Sequence, residues 1–391
     1  PPRSTLFPYT TLFRSDRKVP NLAQWFESYS DLRSIYCGKW HAGGKWGNPQ
    51  LEGPHRIPGF EAIPIMCYGD GQVQDYEIST SLAALMRNWR EDQPFFAVAG
   101  LLNPHDICYY TRALSGDVTT PGEDVFGLGD RRPPLPPNYN YDFAEPAPNR
   151  YGGFSGEEQW RNYMYQYFRM VEWVDADVGR MLDAVDDRGG DTLVVFTSDH
   201  GEGCARHQRV QKWHPYDEST KVPMLYYWPG HIEAGLVDGT HLTCQLDIAS
   251  TLCDYLDIPD VPHARGRSLR PLLEGRQPSQ WRDNVCSEFQ HTGRVIRTQR
   301  YKYVKRYEFS NKPDAPFVRA SDGSATQFVQ GHGEDYRVMP EHLLFDMVDD
   351  PWETRNLASE ARYADVIADH EQLLADEWEA RLIPGVHFDR N

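Results

Sequence analysis

Residues 192–201 read TLVVFTSDHG. Six residues rich in β-branched and apolar side chains run straight into Ser198, Asp199, His200 and a glycine, the pattern of a strand that ends by delivering polar side chains. Upstream, from about Glu158 to Asp187, Met164, Phe168, Val171, Val174, Val178, Met181 and Val185 recur at three- and four-residue steps, which predicts a long helix stopped by Gly189 and Gly190. The same order occurs twice earlier in the chain. Val19 to Tyr29, VPNLAQWFESY, reads as a short amphipathic helix, and Leu32 to Tyr36 as a brief strand that leads into Cys37, Gly38, Lys39, Trp40 and His41. Ser81 to Arg90 places Leu82, Leu85, Met86 and Trp89 on one helical side; Pro94 then opens FFAVAGLL, which ends on Asn103, Pro104 and His105. A strand apolar throughout fits a parallel sheet covered on both faces.

This alternation predicts an α/β fold with a mainly parallel or mixed central sheet and helices on both faces. Ligands of such sheets bind beyond the carboxyl ends of the strands, and the polar clusters G-K-W-H, N-P-H-D and S-D-H-G all fall there. After Leu269 the texture changes. RVIRTQRYKYVKRYEF alternates like an antiparallel hairpin and LLFDMVDDPWETRNLA leads into a helix near Ala364 to Leu382, so a small α+β subdomain with an antiparallel sheet is expected over 269–391, following a main domain over 16–268. Between them in character lies Gly116 to Gly156, a proline- and glycine-rich irregular excursion centred on RRPPLPPN. The first fifteen residues, PPRSTLFPYTTLFRS, read like a translated sequencing adapter, and the expectation is that they are not native.

With 40% hydrophobic and 25% charged residues in 391, the composition is that of a folded chain. The formal net charge of −17 argues against a field that gathers nucleic acid, so an anionic ligand needs a local pocket of positive charge. No apolar run is long enough for a membrane span, and no signal peptide is visible. The seven cysteines include no C-x-x-C pair and leave the redox compartment open.

Each cluster has a chemical reading and a plain one. Asp199 and His200 offer oxygen and nitrogen donors suited to a divalent ion, or form a turn with a surface histidine. In an extended backbone Lys39 and His41 face the same side and can hold a tetrahedral oxyanion and relay a proton; they equally fit a solvated loop end. His105 and Lys212 add two possible oxyanion donors, although a lone lysine is most often just exposed.

The combination is more telling. GKWH, NPH after a strand, TSDHGE after a later strand, a lysine followed by YDESTKVPMLYYWPG, then RTQRYKYV and LFDMVDDPWETRNLA resemble, in that order, the sulfatase family of the alkaline-phosphatase superfamily. The resemblance covers the chain from about Val19 onward. It implies that Asp199 and His200 are ligands of one calcium ion, that Lys39, His41, His105 and Lys212 surround the sulfate group, and that His207 contacts the substrate. It also implies hydrolysis of a sulfuric ester, with a sulfated carbohydrate as the expected substrate, on which Tyr109, Tyr110, Trp213 and the YNYDF segment can stack. A periplasmic or secreted location is the family's habit.

Relatives also carry an opening strand with paired aspartates and a C/S-x-P-x-R segment, whose Cys or Ser a formylglycine-generating enzyme oxidises to the nucleophile. The 391 residues contain neither. The sequence therefore reads as a sulfatase without its nucleophile segment, expected to be inactive as written. A phosphatase or phosphonate hydrolase of the same superfamily and a non-catalytic carbohydrate-binding relative are the alternatives.

Overall fold

The computed structural model describes residues 20–40, 57–63, 65, 71–90, 92–108, 132–141, 154, 156–189, 191–212, 214–289, 293–306 and 340–381. The predicted adapter-like stretch, His41, Tyr109, Tyr110 and Trp213 lie outside them.

Helix α1 (Leu22–Tyr29) begins at Asn21, whose Oδ1 accepts from Gln24 N at 3.0 Å while Gln24 Oε1 accepts from Asn21 N at 3.2 Å. That reciprocal cap satisfies two amides that a helix start leaves unpaired. Strands β1 (Arg33–Gly38), β2 (Glu61–Ile63) and β3 (Phe95–Gly100) form a parallel sheet in the order β2-β1-β3, with Ile35 opposite Ala97 and Gly38 opposite Gly100. Helix α2 (Gly71–Asn88) starts ten residues before the predicted Ser81. Helix α3 (Glu157–Asp187) matches its prediction closely.

Alternation along β3 settles how the helices cover the sheet. Phe96 meets Phe26 of α1 edge-on at 5.0 Å, whereas Phe95, Ala97 and Ala99 pack on Leu82, Ala83 and Met86 of α2 and Ala184 and Val185 of α3. Helices therefore lie on both faces, as period-two side-chain geometry requires.

One expectation needs correction. Phe168 and Val171, assigned to the buried stripe of α3, are 43% and 42% exposed. The helix packs at its two ends on different clusters, Trp160 and Met164 against Cys204 and Ala205, Ala184 and Val185 against α2, and its middle joins neither. Strand β4 (Val194–Thr197) pairs antiparallel with β5 (Met224–Tyr227), the mixed strand direction the expected fold class allows; among the described strands it pairs with none of β1 to β3. Val194 nonetheless packs on the same α2–α3 cluster, so both sheets share that layer.

Beyond α4 (Asp217–Thr220), α5 (Leu246–Tyr255) and α6 (Arg270–Leu273), the antiparallel sheet appears as predicted: β6 (Asn284–Phe289), β7 (Gly293–Thr298), β8 (Tyr301–Arg306) and β9 (His342–Asp346) in sequential order. Helix α7 (Ala364–Arg381) covers it through Leu374, packed with Ile296, Tyr303, Leu344 and Leu357. The start of α6 is tied to α5 by Leu269 N donating to Thr251 Oγ1 at 2.8 Å.

The antiparallel sheet meets the rest of the chain through buried charge. Lys302 of β8, 1% exposed, lies 2.8 Å from Asp217 Oδ1 of α4 and 2.8 Å from Glu353 Oε1, and Glu353 Oε2 accepts from Asp217 N at 2.7 Å. Burial opposes the ammonium, but Glu353 and Asp217 outweigh it and raise its pKa.

Candidate active site

The predicted clusters leave the sheets at the carboxyl ends of β1, β3 and β4. At β1, Gly38 has φ +107°, and a Cβ there would sit 2.3 Å from Gly100 O. Only glycine permits that approach. It lets Lys39 N donate to Gly100 O at 2.7 Å, while Tyr36 Oη donates to Lys39 O, so the backbone of Lys39 is fixed at both ends. The Lys39 ammonium makes no ion pair among the described residues, and burial pulls its pKa down against the attraction of Asp199, Asp106 and Asp75.

At β4 the turn is built by its own side chains. Asp199 Oδ1 accepts from His200 N at 3.1 Å and Ser198 Oγ donates to His200 O at 2.7 Å. Gly201 then passes so close to α4 that a Cβ would lie 1.9 Å from Glu218 O, and Gly201 N and Glu202 N donate to Ser219 O and Glu218 O at 2.9 and 2.8 Å. Asp199 ends with its side chain 71% exposed, while His200 is half-buried.

Lys212 joins this turn. Its Nζ lies 2.7 Å from His200 Nε2, and its carbonyl accepts from Ser219 Oγ at 2.7 Å. Burial, together with neighbouring Lys39, lowers its pKa against the attraction of Asp199. Burial first, then Lys212, pulls His200 down to about 4, so the ring is neutral at ordinary pH. The structure thus brings Lys39, Asp199, His200 and Lys212 close enough for their charges to act on one another.

His105 stands at the end of β3 with its side chain 42% exposed and Nδ1 3.4 Å from Asp106 Oδ1. His207 is placed differently from its expected role as a substrate contact. It is fully buried, its Nδ1 2.8 Å from Glu218 Oε1 and its Nε2 3.1 Å from Glu353 O, and its ring stacks on Tyr216 at 3.8 Å. Both nitrogens are spent on the junction with the antiparallel sheet, so His207 presents nothing to a ligand.

Glu202 was not singled out by the sequence reading. Burial raises its pKa, and its Oε1 accepts from Tyr163 Oη of α3 at 2.5 Å and from Gln211 N. It thereby ties the segment that carries Lys212 to the long helix. The available signal was the glutamate closing TSDHGE.

Sequence profiles decide the lineage. One described as Sulfatase matches residues 4–258, and one described as N-sulphoglucosamine sulphohydrolase, C-terminal, matches residues 205–315. The chain belongs to the sulfatase family. This sulfatase is 28% identical over 387 residues to the Delta 4,5-hexuronate-2-O-sulfatase of Bacteroides thetaiotaomicron, covering 93% of the chain and 72% of that protein. To the N-acetylglucosamine-6-O-sulfatase of the same organism it is 28% identical over 222 residues, 56% of the chain and only 36% of that protein. Among solved structures, a 2-O GAG sulfatase superposes with a TM-score of 0.69 at 25% identity, covering 94% of the sulfatase chain and 75% of the other. The fold is alkaline-phosphatase-like, a mixed α/β body with a C-terminal antiparallel sheet.

The family's calcium finds only part of a site here. Calcium takes six to eight oxygen ligands. Asp199 gives one carboxylate, His200 has its nitrogens turned to Lys212 Nζ and Gly201 O, two ammonium groups lie beside them, and among the described residues no group of three or more His, Cys, Asp or Glu side chains is gathered for a metal. The described residues alone do not fit the ion.

Proposed function

We propose that the pocket formed by Lys39, His105, Asp199, His200 and Lys212 holds the sulfate group of a sulfated sugar, as the binding part of a sulfuric ester hydrolase. The observation that carries this reading is the pair of half-buried lysines: each is held below its ordinary pKa first by burial, and each feels Asp199. Two ammonium groups kept out of water beside one exposed carboxylate, in a chain of net charge −17, make a local anion site. In such a site the lysines share the equatorial oxygens of sulfate, and charge developing there during attack on sulfur meets fixed donors.

Of the two residues the family's calcium would be expected to meet, His200 faces Lys212 Nζ with Nε2 and Gly201 O with Nδ1, so Asp199 is the donor left to the ion among the described residues. Formylglycine and its generating enzyme enter only through a C/S-x-P-x-R segment, which the 391 residues lack. The names of the relatives, a hexuronate-2-O-sulfatase and an N-acetylglucosamine-6-O-sulfatase, favour a sulfated uronate or hexosamine over an aryl sulfate.

Titration calorimetry with matched sugars tests this. Sulfated glucosamine and sulfated uronate should bind while their desulfated forms do not, and phosphate should compete more weakly than sulfate. Equal binding of sulfated and desulfated sugars would leave a carbohydrate module, and preference for phosphate would favour a phosphonate or phosphate ester hydrolase.

A further inference from the structure

Two carboxylates outside the oxyanion donors grip the His105 turn from opposite sides. Asp75, in the second turn of α2 and 1% exposed, accepts from Leu102 N at 2.6 Å with one oxygen and from Asn103 N at 2.8 Å with the other. Asp106 reaches back from the turn to the helix: its Oδ2 accepts from Gly71 N, the first amide of α2, at 2.7 Å, and its Oδ1 faces His105 Nδ1. The helix carboxylate holds the amides of the turn, and the carboxylate of the turn holds an amide of the helix.

Apolar packing of Leu102 on Ile78 adds to that hold, but the polar part of it rests on these two carboxylates. Neither carboxylate has a Lys or Arg ion-pair partner among the described residues, and the Asn103 amide, 6% exposed, makes no hydrogen bond with either of its polar atoms. The fit at the clasp is close, since a Cβ on Gly71 would come within 2.8 Å of Asp106 Oδ2 and 2.9 Å of Asn103 Nδ2. Burial pushes Asp75 up to about 6, so keeping an ionised carboxylate there is costly, and the two backbone hydrogen bonds offset that cost.

Resting on the reading of His105 as a sulfate contact, we propose that Asp106, braced by Asp75 through the turn, is the positioning residue of the pocket: it holds the proton of His105 on Nδ1 and turns Nε2 to the ligand. A carboxylate behind a histidine that faces a substrate fixes both tautomer and ring direction. A sulfate oxygen only accepts, so with Nδ1–H held on Asp106 the ring meets sulfate as the protonated form, through Nε2–H, and the neutral form offers Nε2 only to a proton donor. Asp106 itself touches no substrate.

The test is 15N NMR of the histidine-labelled 391-residue chain, with inorganic sulfate as the probe. In the wild type the neutral His105 ring should carry its proton on Nδ1, and sulfate should perturb Nε2 more than Nδ1. Sulfate should bind the wild type with uptake of a proton at His105; Asp106→Ala should shift the neutral ring toward the Nε2–H form, which donates to sulfate without that uptake, while Asp106→Asn, whose side-chain oxygen still accepts, keeps the tautomer and the coupling to protonation. An Nε2–H tautomer in the wild type overturns the proposal, and so does an unchanged tautomer in a folded Asp106→Ala. If Asp106→Ala does not fold, the wild-type and Asp106→Asn spectra decide alone. A wild type that shows the Nδ1–H form and a protected Leu102 amide but ignores sulfate supports the clasp and sinks the oxyanion reading, which keeps the two failures apart.

Discussion

Lys212 Nζ lies 2.7 Å from His200 Nε2, while His200 Nδ1 lies 2.8 Å from the carbonyl of Gly201. A carbonyl only accepts, so Nδ1 carries the proton and Nε2 accepts from the ammonium. The imidazole is neutral and the cationic charge of the pocket rests on its lysines.

That arrangement makes the lysines a liability to the fold. Lys39 is half-buried, its pKa lowered first by burial, with no ion pair among the described residues. Lys39→Met keeps the aliphatic stem and removes the desolvated charge, so stability to urea should rise by about 1 kcal/mol even as the anion site is lost. A clear loss of stability in this variant would show that the ammonium is part of the scaffold.

Lys302 should behave in the opposite way. It is buried between Asp217 and Glu353, and Lys302→Ala strands two carboxylates in the interior. Breaking a buried ion pair on one side costs about 3 to 5 kcal/mol, whereas replacing the buried group by an apolar side chain of similar size, together with its partners, is far milder. Chemical denaturation should therefore find Lys302→Ala severely destabilised and the triple variant Lys302→Met, Asp217→Asn, Glu353→Gln much less so; equal losses would argue that packing, and not charge, holds this junction.

Much of this was legible in the sequence, for reasons that can be named. Short-range patterns carry strands and helices, so β3, α3 and the β7–β8 hairpin fell where periodicity placed them. Chain-distant pairing leaves no such local mark. The antiparallel partner of β4 is distant in the chain, with Thr197 opposite Met224 and Val194 opposite Tyr227, and the exposure of Phe168 depends on which clusters the ends of α3 meet. Among the expected site residues, Lys39, Asp199 and His200 stood out because they follow strand ends, whereas Lys212 lies in a loop and was picked out only through the family resemblance. His207 misled because a histidine near a site motif reads the same whether it faces a ligand or, as here, Glu218 and Glu353 in the interior. Asp75 was missed because a carboxylate that serves only backbone amides leaves no sequence pattern, and Asp106, though part of N-P-H-D, was given no role because its hold on Gly71 N is a contact with a distant helix.

Acid should expose another buried group. His214 is 3% exposed, its Nε2 3.0 Å from Gln211 O and its Nδ1 without a partner, and burial pulls it down to about 4. Between about pH 6.5 and 4 the unfolded chain binds a proton that the folded chain refuses, so stability is lost as pH falls through that window. The contribution is about 3 kcal/mol at full extent. Thermal midpoints measured from pH 7 to 4 should fall less steeply in His214→Gln than in the wild type; parallel curves would mean that His214 takes up its proton without unfolding.

The most direct measurement is calorimetric titration of inorganic sulfate into the 391-residue chain at low ionic strength, beside Lys39→Ala, Lys212→Ala and Lys221→Ala, the last an exposed lysine just beyond α4. With each charge-assisted contact worth about 1.5 to 3 kcal/mol, the first two substitutions should weaken sulfate by roughly ten- to a hundredfold and the third by less than about twofold. Sulfate binding that is absent in the wild type, or that survives equally in all three variants, would contradict an oxyanion pocket built on Lys39 and Lys212.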